Sequence, residues 1–261
     1  MPIVNKQYLI TPKPSQVIWR YIDLEKFESL LENRAMFFCR LDNFNDDLEG
    51  TLPIREIEHL DETVKIKART LRQEMSCEKV KEDVRIIIER HEKARRATIV
   101  SCWNMDNEES YDLWNQFLNG KDGVAIQTTV GSLYDAHSDF AEEILISEVR
   151  YIYLENDIWF HQEDYPVRSL NLLSPIIHKN KNFTTEKELR LFQIFDEAMH
   201  NSKYWDDKVC KKGKLIPCNL GSLIQKIIIP NKSYEYIFAT VDNLLKKYGL
   251  NLMIERSRTK Y

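Results

Sequence analysis

Two patterns of apolar residues alternate along this chain. In some runs most positions, or every second one, are apolar, which is typical of strands. In others the apolar residues recur every three or four positions, which is typical of helices. The first pattern predicts strands at 17–22, 35–40, 98–103, 123–129, 144–153, 183–192, 226–229 and 250–255. The second predicts helices at 24–33, 54–96, 111–117, 167–178 and 234–248.

The order of these elements bears on the fold class. Strands alternate with helices at irregular spacing and with few regular βα units, which favours an α+β domain over a doubly wound parallel sheet. The stretch 54–96 is heavily charged and has few large apolar residues, so we expect two helices packed outside the sheet. From the length of 261 residues we predict a single α+β domain over 1–261 with a helical insertion at about 54–97.

Composition indicates the class of protein and its expected cellular location. The chain is 43% hydrophobic and 30% charged, which is typical of a soluble protein. It has no apolar run of bilayer length and no signal peptide, so no membrane partner is expected. Its five cysteines are widely spaced without a CxxC pair, so we expect neither a disulfide framework nor a zinc site. The cytoplasm is the predicted location.

Several common chemistries lack their motifs. There are only seven glycines, and neither GxGxxG nor GxxxxGK[ST] occurs, so Rossmann and P-loop nucleotide sites are not expected. The six histidines are scattered, and the sequence contains neither HExxH nor GxSxG. The net charge of −4 argues against nucleic-acid binding by the whole chain, although basic runs occur at 93–96, 208–214 and 256–260.

The pair Glu186 and Glu188 carries the most informative chemistry. If 183–192 is a strand, residues two apart share a face, so the two carboxylates lie side by side with Arg190 next in the row. Two acids on one wall of a cleft can stabilise a sugar cation and orient an attacking nucleophile. A charged strand edge with a Glu188–Arg190 pair is the alternative interpretation.

Two more polar residues lie within apolar strands. Arg20 shares a strand face with Ile18 and Ile22, and a buried guanidinium must find an anion. That anion is either an internal carboxylate or the phosphate or carboxylate of a ligand. Ser101 shares a face with Trp103, where a serine is either tolerated by the core or holds a neighbouring side chain.

The order of Arg20, Ser101 and Glu186-x-Glu188 resembles the arginine–serine–glutamate class of ADP-ribosyltransferases. The resemblance implies a split antiparallel or mixed β-sheet core in which Arg20 binds NAD and Ser101 supports the site. It further implies that Glu188 is the catalytic glutamate and that Glu186 guides the acceptor. This chain has Ser101-Cys102-Trp103 where that class has Ser-Thr-Ser. The aromatic residues expected to stack on nicotinamide or adenine are Trp19, Tyr21 and Trp103.

A wider likeness covers most of the chain, which resembles the bacterial domain-of-unknown-function family 2971. The matching segments are 19–21 with the following helix, 44–50, 101–103, 113–114, 123–126, 186–190 and 229–257. Members are bacterial or phage proteins, some of them near defence systems. The resemblance therefore implies a toxin-like or phage-defence effector, with an antitoxin as a further partner.

We predict an ADP-ribosyltransferase that uses NAD as its substrate, needs no metal and transfers ADP-ribose to a macromolecule. The basic runs favour nucleic acid slightly over protein as the acceptor. Three alternatives stay open. They are an NAD hydrolase, a non-catalytic interaction module, and a nuclease that holds Mg²⁺ with Asp42, Asp46, Asp47 and Glu49.

Overall fold

The computed structural model of the chain describes residues 3–4, 6, 9–157, 171–206, 208, 210–232 and 234–259. The strands are β1 Ile3–Val4, β2 Val17–Asp23, β3 Ala35–Arg40, β4 Thr98–Asn104, β5 Gly123–Thr129, β6 Ile144–Glu148, β7 Arg150–Ile152, β8 His178–Asn180, β9 Glu188–Ile194, β10 Gly213–Pro217, β11 Lys226–Ile229 and β12 Ile254–Arg256. The helices are α1 Leu24–Asn33, α2 Ile54–Thr70, α3 Cys77–Ala97, α4 Tyr111–Leu118, α5 Val130–Ala136, α6 Ser174–Ile177, α7 Asp196–His200, α8 Leu220–Leu223 and α9 Tyr234–Lys247.

Local capping explains the helix boundaries that the sequence predicted well. The Asp23 carboxylate accepts the N–H of Lys26 at the start of α1, and Arg34 ends that helix in the left-handed conformation. Ser76 and Ser110 cap α3 and α4 in the same way. The charged stretch after residue 54 forms two helices, as predicted.

Several predicted elements differ from the structure, and three of them lie outside the glutamate pair. The strand predicted at 144–153 is two strands, because β7 leaves the main sheet and pairs in parallel with β8. The helix predicted at 167–178 begins outside the described residues, and its described part is helical over Ser174–Ile177. The last strand is shorter than predicted and begins at Ile254.

The described strands form a mixed ten-stranded sheet and a separate pair made by β7 and β8. The mixed α+β class is therefore confirmed. In the large sheet the order along the main path is β1-β6-β9-β4-β2-β5-β11-β12, and β10 pairs with β3. Most neighbours are antiparallel, whereas β1 with β6 and β11 with β12 are parallel.

The sheet forks beside β4. One edge of β4 pairs along its whole length with β9, from Thr98 to Asn104. Its other edge pairs with β2 at Asn104 and with β3 at Ile99 and Val100. The sheet therefore divides into a branch that contains β2 and a branch that contains β3, with an opening between them.

Apolar side chains cover both faces of the forked sheet. On one face Ile18 and Leu191 join a core that includes Phe27 of α1. On the other face α4 contributes Leu113 and Trp114 to a separate cluster. These helices hold the two branches in place on either side of the opening. None of the helices in the described residues combines the length and apolar character needed to cross a membrane.

Candidate functional site

A cavity of about 980 Å³ opens at the fork of the sheet. Its wall is made by β2, β3, β4, the loop after β3, and residues of α4, β8 and β9. Most of the site residues expected from the sequence line it: Trp19, Arg20, Tyr21, Trp103, Glu186 and Glu188. The remaining one, Ser101, is fully buried and contacts Arg20.

Arg20 lies in the middle of β2, and its guanidinium has neutral partners. Its Nη1 donates to the Ser101 hydroxyl at 2.5 Å, and its Nη2 donates to the Phe37 carbonyl at 3.3 Å. Its Cζ lies 5.7 Å from the centre of the Trp103 ring. Within the described part of the chain no carboxylate pairs with Arg20, and burial lowers the pKa of its guanidinium. An anion that enters the cavity would relieve this cost of burial.

Arg20 and Glu188 lie on opposite faces of the sheet. Trp19 pairs with Asn104, and Asn104 pairs with Glu188, so these three residues share one face. Arg20 follows Trp19 and therefore lies on the other face, with its partner Ser101. Both faces border the same cavity because β2 and β4 pair only at Trp19 and Asn104 and leave the sheet open beyond that pair.

The first of the two glutamates does not lie on a strand, contrary to prediction. Glu186 ends the 3-10 helix Lys181–Glu186, and β9 begins at Glu188. Between them Lys187 has the left-handed conformation, with φ of 41°, and its N–H donates to the Thr184 carbonyl. The alternating charges suggested a strand, but a local turn satisfies the backbone groups here instead.

Glu186 and Glu188 nevertheless belong to one buried group of charges, the charge cluster, which also contains Glu49, Lys179 and Arg190. Arg190 Nε donates to Glu188 Oε1 at 2.8 Å, and its Nη2 donates to Glu49 Oε1 at 2.6 Å. Lys179 Nζ lies 2.7 Å from Glu186 Oε2 and 3.1 Å from Glu188 Oε2. Its distance to Glu49 Oε2 is 3.6 Å. Three carboxylates and two cations leave the cluster with one formal negative charge.

These contacts fix the ionisation of Glu188. Burial raises the pKa of its carboxyl, but attraction to Arg190 and Lys179 outweighs burial and lowers that pKa to about 2. Burial opposes the charge of Arg190 too, yet Glu188 and Glu49 raise its pKa well above the usual value. At Glu49 burial dominates and raises the pKa of the carboxyl. Glu188 is therefore a carboxylate across the neutral range.

Little hydrogen-bond capacity remains at Glu188. A carboxylate has about four lone-pair positions. Three of them are occupied by Arg190 Nε and Nη2 and by the Lys179 ammonium, and the fourth lies beside the Cys102 thiol. Because a thiol is a weak donor, Cys102 is the partner that a substrate hydroxyl would replace at the least cost.

Neighbouring polar groups hold both glutamates in place. Gln116 Nε2 donates to Glu186 Oε1 at 2.6 Å, and the Asn104 side-chain amide donates to the Glu186 carbonyl. The backbone N–H of Glu188 donates to the Tyr151 hydroxyl at 2.8 Å. Contacts from α4, β4 and β7 thus orient two residues that the turn at 187 separates.

Little of the Trp19 and Tyr21 rings is open to a ligand. They are 4% and 5% exposed, because the face of β2 that carries them packs against α4. The Tyr21 ring meets Trp114 edge-on, with 5.0 Å between the ring centres. Trp103 is also buried, but its Nε1 has no hydrogen-bond partner among the described residues, and the residue lines the cavity.

The more accessible aromatic rings of the cavity were missed by the sequence analysis. Phe37 is 36% exposed, Phe117 is 46% exposed, and Phe183 is half-buried beneath the Lys179 ammonium, 4.8 Å from its ring centre. Single phenylalanines at the edge of a strand or helix give no sequence signal for ligand binding. Together they offer planar apolar surfaces to the rings of a nucleotide.

Three of the four acids proposed to hold Mg²⁺ have separate partners. Asp42 pairs with Arg40 at 2.6 Å, Asp46 accepts a backbone N–H of its own loop, and Glu49 belongs to the charge cluster. Among the residues that the structure describes, no group of three or more histidine, cysteine, aspartate or glutamate side chains is arranged to hold a metal ion.

No family model, curated protein or solved structure matches this chain.

Proposed function

We propose that this chain is an ADP-ribosyltransferase that binds NAD in the cavity at the fork and cleaves its nicotinamide–ribose bond. One observation carries the proposal. A guanidinium without a carboxylate partner in the described residues and a charge cluster with net negative charge border a single cavity. NAD has matching chemistry, since its pyrophosphate is anionic and its nicotinamide ribose becomes cationic during cleavage.

The size and lining of the cavity suit a dinucleotide. A volume of about 980 Å³ lies at the upper end of the range for small-molecule sites. In the proposed complex Arg20 binds the pyrophosphate, as guanidinium groups do through paired hydrogen bonds. Phe37 and Phe117 offer exposed rings on which adenine or nicotinamide can stack.

Glu188 is the proposed catalytic residue. In the reaction the bond between ribose C1′ and the nicotinamide nitrogen breaks, and its electron pair remains on nicotinamide. The ribose is left as an oxocarbenium ion, which a fixed carboxylate stabilises. Glu188 is ionised and held by Arg190 and Lys179, and a ribose hydroxyl takes the lone-pair position beside the Cys102 thiol. An acceptor hydroxyl or amine then attacks C1′ and releases its proton.

Glu186 is the proposed guide for that acceptor. Its carboxylate lies at the cavity beside Glu188, with Lys179 bonded to one oxygen and Gln116 to the other. It retains lone pairs that can accept the acceptor's proton or hydrogen-bond to it. If water is the acceptor, the same site performs NAD hydrolysis.

The order of the site residues and the shape of the sheet are compatible with the same proposal. The order of Arg20, Ser101 and Glu188 along the chain and the opening between β2 and β4 suit the split sheet of ADP-ribosyltransferases. The resemblance to domain-of-unknown-function family 2971 suits a toxin-like bacterial or phage-defence effector with an antitoxin partner. Nucleic acid is the preferred acceptor in this proposal because of the three basic runs.

Incubation with NAD labelled in its phosphates, in the presence of separate pools of RNA, DNA and protein, tests the proposal. We expect label on one pool and release of nicotinamide. Glu188→Gln keeps the side-chain shape and should lower the rate by about 100- to 1,000-fold. Nicotinamide release without labelling would identify a hydrolase, and undiminished turnover by Glu188→Gln would rule out the assigned role.

Arg20→Met tests the binding half of the proposal. Loss of a charge-assisted hydrogen bond should raise the Kd for NAD by about 10- to 100-fold, as measured by titration calorimetry. Arg85→Met on α3 is the matched control, because Arg85 is exposed and pairs with acids of its own helix. Equal affinity in Arg20→Met and Arg85→Met would place NAD away from Arg20.

A further inference from the structure

Lys179 is a buried amine that lies outside the main sheet, in the middle of β8. The acids around it come from three separate segments: Glu49 from the loop after β3, Glu186 from the 3-10 helix, and Glu188 from β9. Among the described residues Lys179 is the one cation within ion-pair distance of both Glu186 and Glu188. Arg190 contacts Glu188 and Glu49 instead.

The turn between the two glutamates makes this link necessary. A shared strand would align Glu186 and Glu188 through backbone geometry alone, but Lys187 turns the chain between them. Two adjacent carboxylates without a cation repel each other, and one of them takes up a proton. A protonated Glu188 could not stabilise an oxocarbenium ion.

We propose that Lys179 is a positioning residue for NAD cleavage, because its ammonium holds Glu186 and Glu188 side by side and keeps Glu188 ionised. This inference rests on the proposed function. Lys179 acts through the two carboxylates, with its Nζ 2.7 Å and 3.1 Å from them. Its ammonium aligns the two carboxylates, as a shared strand would do. It thereby links the 3-10 helix and β9, which no backbone pairing connects at this point.

The electrostatics of Lys179 and Glu188 agree with this role. Burial alone would lower the pKa of Lys179, but Glu188, Glu49 and Glu186 outweigh it and raise that pKa above the usual value. The ammonium is therefore permanent near neutral pH. Other titratable groups lie near Glu188 on the neighbouring elements. They are Arg190 of β9, Glu49 of the loop after β3, Cys102 of β4, Tyr151 of β7 and Glu186 of the 3-10 helix.

Replacement of the ammonium separates positioning from folding. Lys179→Met keeps the length of the side chain and removes its charge, whereas Lys179→Arg keeps the charge. Lys181→Met is the matched control, since Lys181 is two residues away, exposed, and stacked on Tyr153 outside the charge cluster. The rate of nicotinamide release is measured against pH for all of them, and circular dichroism verifies that each variant is folded.

We expect Lys179→Met to lower kcat while the KM for NAD changes little, because Arg20 still binds the pyrophosphate. The midpoint of the acidic limb of kcat should rise by about 1 to 3 pH units, since loss of a nearby cation makes Glu188 easier to protonate. Lys179→Arg should restore the wild-type limb. If Lys179→Met lowers kcat but leaves the midpoint of its acidic limb unchanged, the inference is overturned. A purely structural defect lowers kcat without shifting that midpoint.

A second readout is independent of turnover. The titration of the Glu188 carboxyl is followed by ¹³C NMR in protein labelled at glutamate, with Glu188→Gln to assign the signal. We expect the Glu188 signal to titrate at higher pH in Lys179→Met than in the wild type, and an unchanged titration overturns the role of Lys179. Absence of nicotinamide release by the wild type overturns the proposed function instead, so the two failures are distinguishable.

Discussion

At the scale of single residues, two arginines of the sheet have opposite surroundings. Arg190 is completely buried and is bound by Glu188 and Glu49. Arg20 has a hydroxyl, a carbonyl and an aromatic ring around it, and no described carboxylate pairs with it. The first arrangement stabilises the fold and the second leaves a cation available to a ligand, so the two residues should respond differently to substitution.

Arg190→Met should destabilise the protein by about 3 to 5 kcal/mol, because it leaves two buried carboxylates without their shared partner. The free energy of unfolding in urea measures this effect. Arg85→Met should change it by about 1 kcal/mol or less, since exposed pairs contribute little. If Arg190→Met were as stable as Arg85→Met, the charge cluster would not be a structural element.

The ionisation of Glu188 makes stability depend on pH. Its pKa is about 2 in the folded protein, against an ordinary value of 4.5 that applies to the unfolded chain. The unfolded state therefore binds the extra proton in this window, and stability falls as the pH drops from about 4.5 to about 2. The expected loss from this group is about 3 kcal/mol. Urea unfolding at several pH values should show a smaller loss of stability at low pH for Glu188→Gln than for the wild type. If stability depended on pH equally in both proteins, the prediction would be contradicted.

At the scale of secondary structure, the turn at Lys187 decides the geometry of the glutamate pair. Its φ of 41° ends the 3-10 helix and sets the start of β9. A β-branched residue strongly disfavours this conformation, whereas glycine adopts it without penalty.

Lys187→Gly should therefore be more stable than Lys187→Ile by about 1 to 2 kcal/mol. Both variants lose the exposed ion pair with Asp106, so the difference reports the backbone alone. The temperature of thermal unfolding measures it. We also expect slower nicotinamide release from Lys187→Ile, because a straightened chain moves Glu186 away from Lys179. Equal behaviour of the two variants would show that the turn is not required.

Elements with local signals were predictable from the sequence, and the others depended on tertiary contacts. Recurring apolar residues predicted α1 and α4, and mostly apolar runs predicted β2 and β5. β8 has only three residues and no periodicity, so Lys179 gave no signal. Glu49 resembled a metal ligand within its acidic loop, and its pairing with Arg190, 141 residues away, requires the folded chain.

At the scale of the whole molecule, the fork in the sheet brings distant residues to one cavity. Arg20 and Glu188 lie on opposite faces, and in a continuous sheet they would be separated by the backbone. The opening between β2 and β4 removes that barrier. Both residues stand out in the sequence, but periodicity alone could not show that a fork connects their two faces.

The central claim is that one NAD molecule spans this fork, from Arg20 to Glu188. A crystal structure of the wild-type protein with carba-NAD, whose nicotinamide–ribose bond resists cleavage, tests it most directly. We predict a pyrophosphate oxygen about 3 Å from the Arg20 guanidinium and a ribose hydroxyl about 3 Å from the Glu188 carboxylate. Carba-NAD bound elsewhere, or a cavity that stays empty at saturating ligand, would contradict the account.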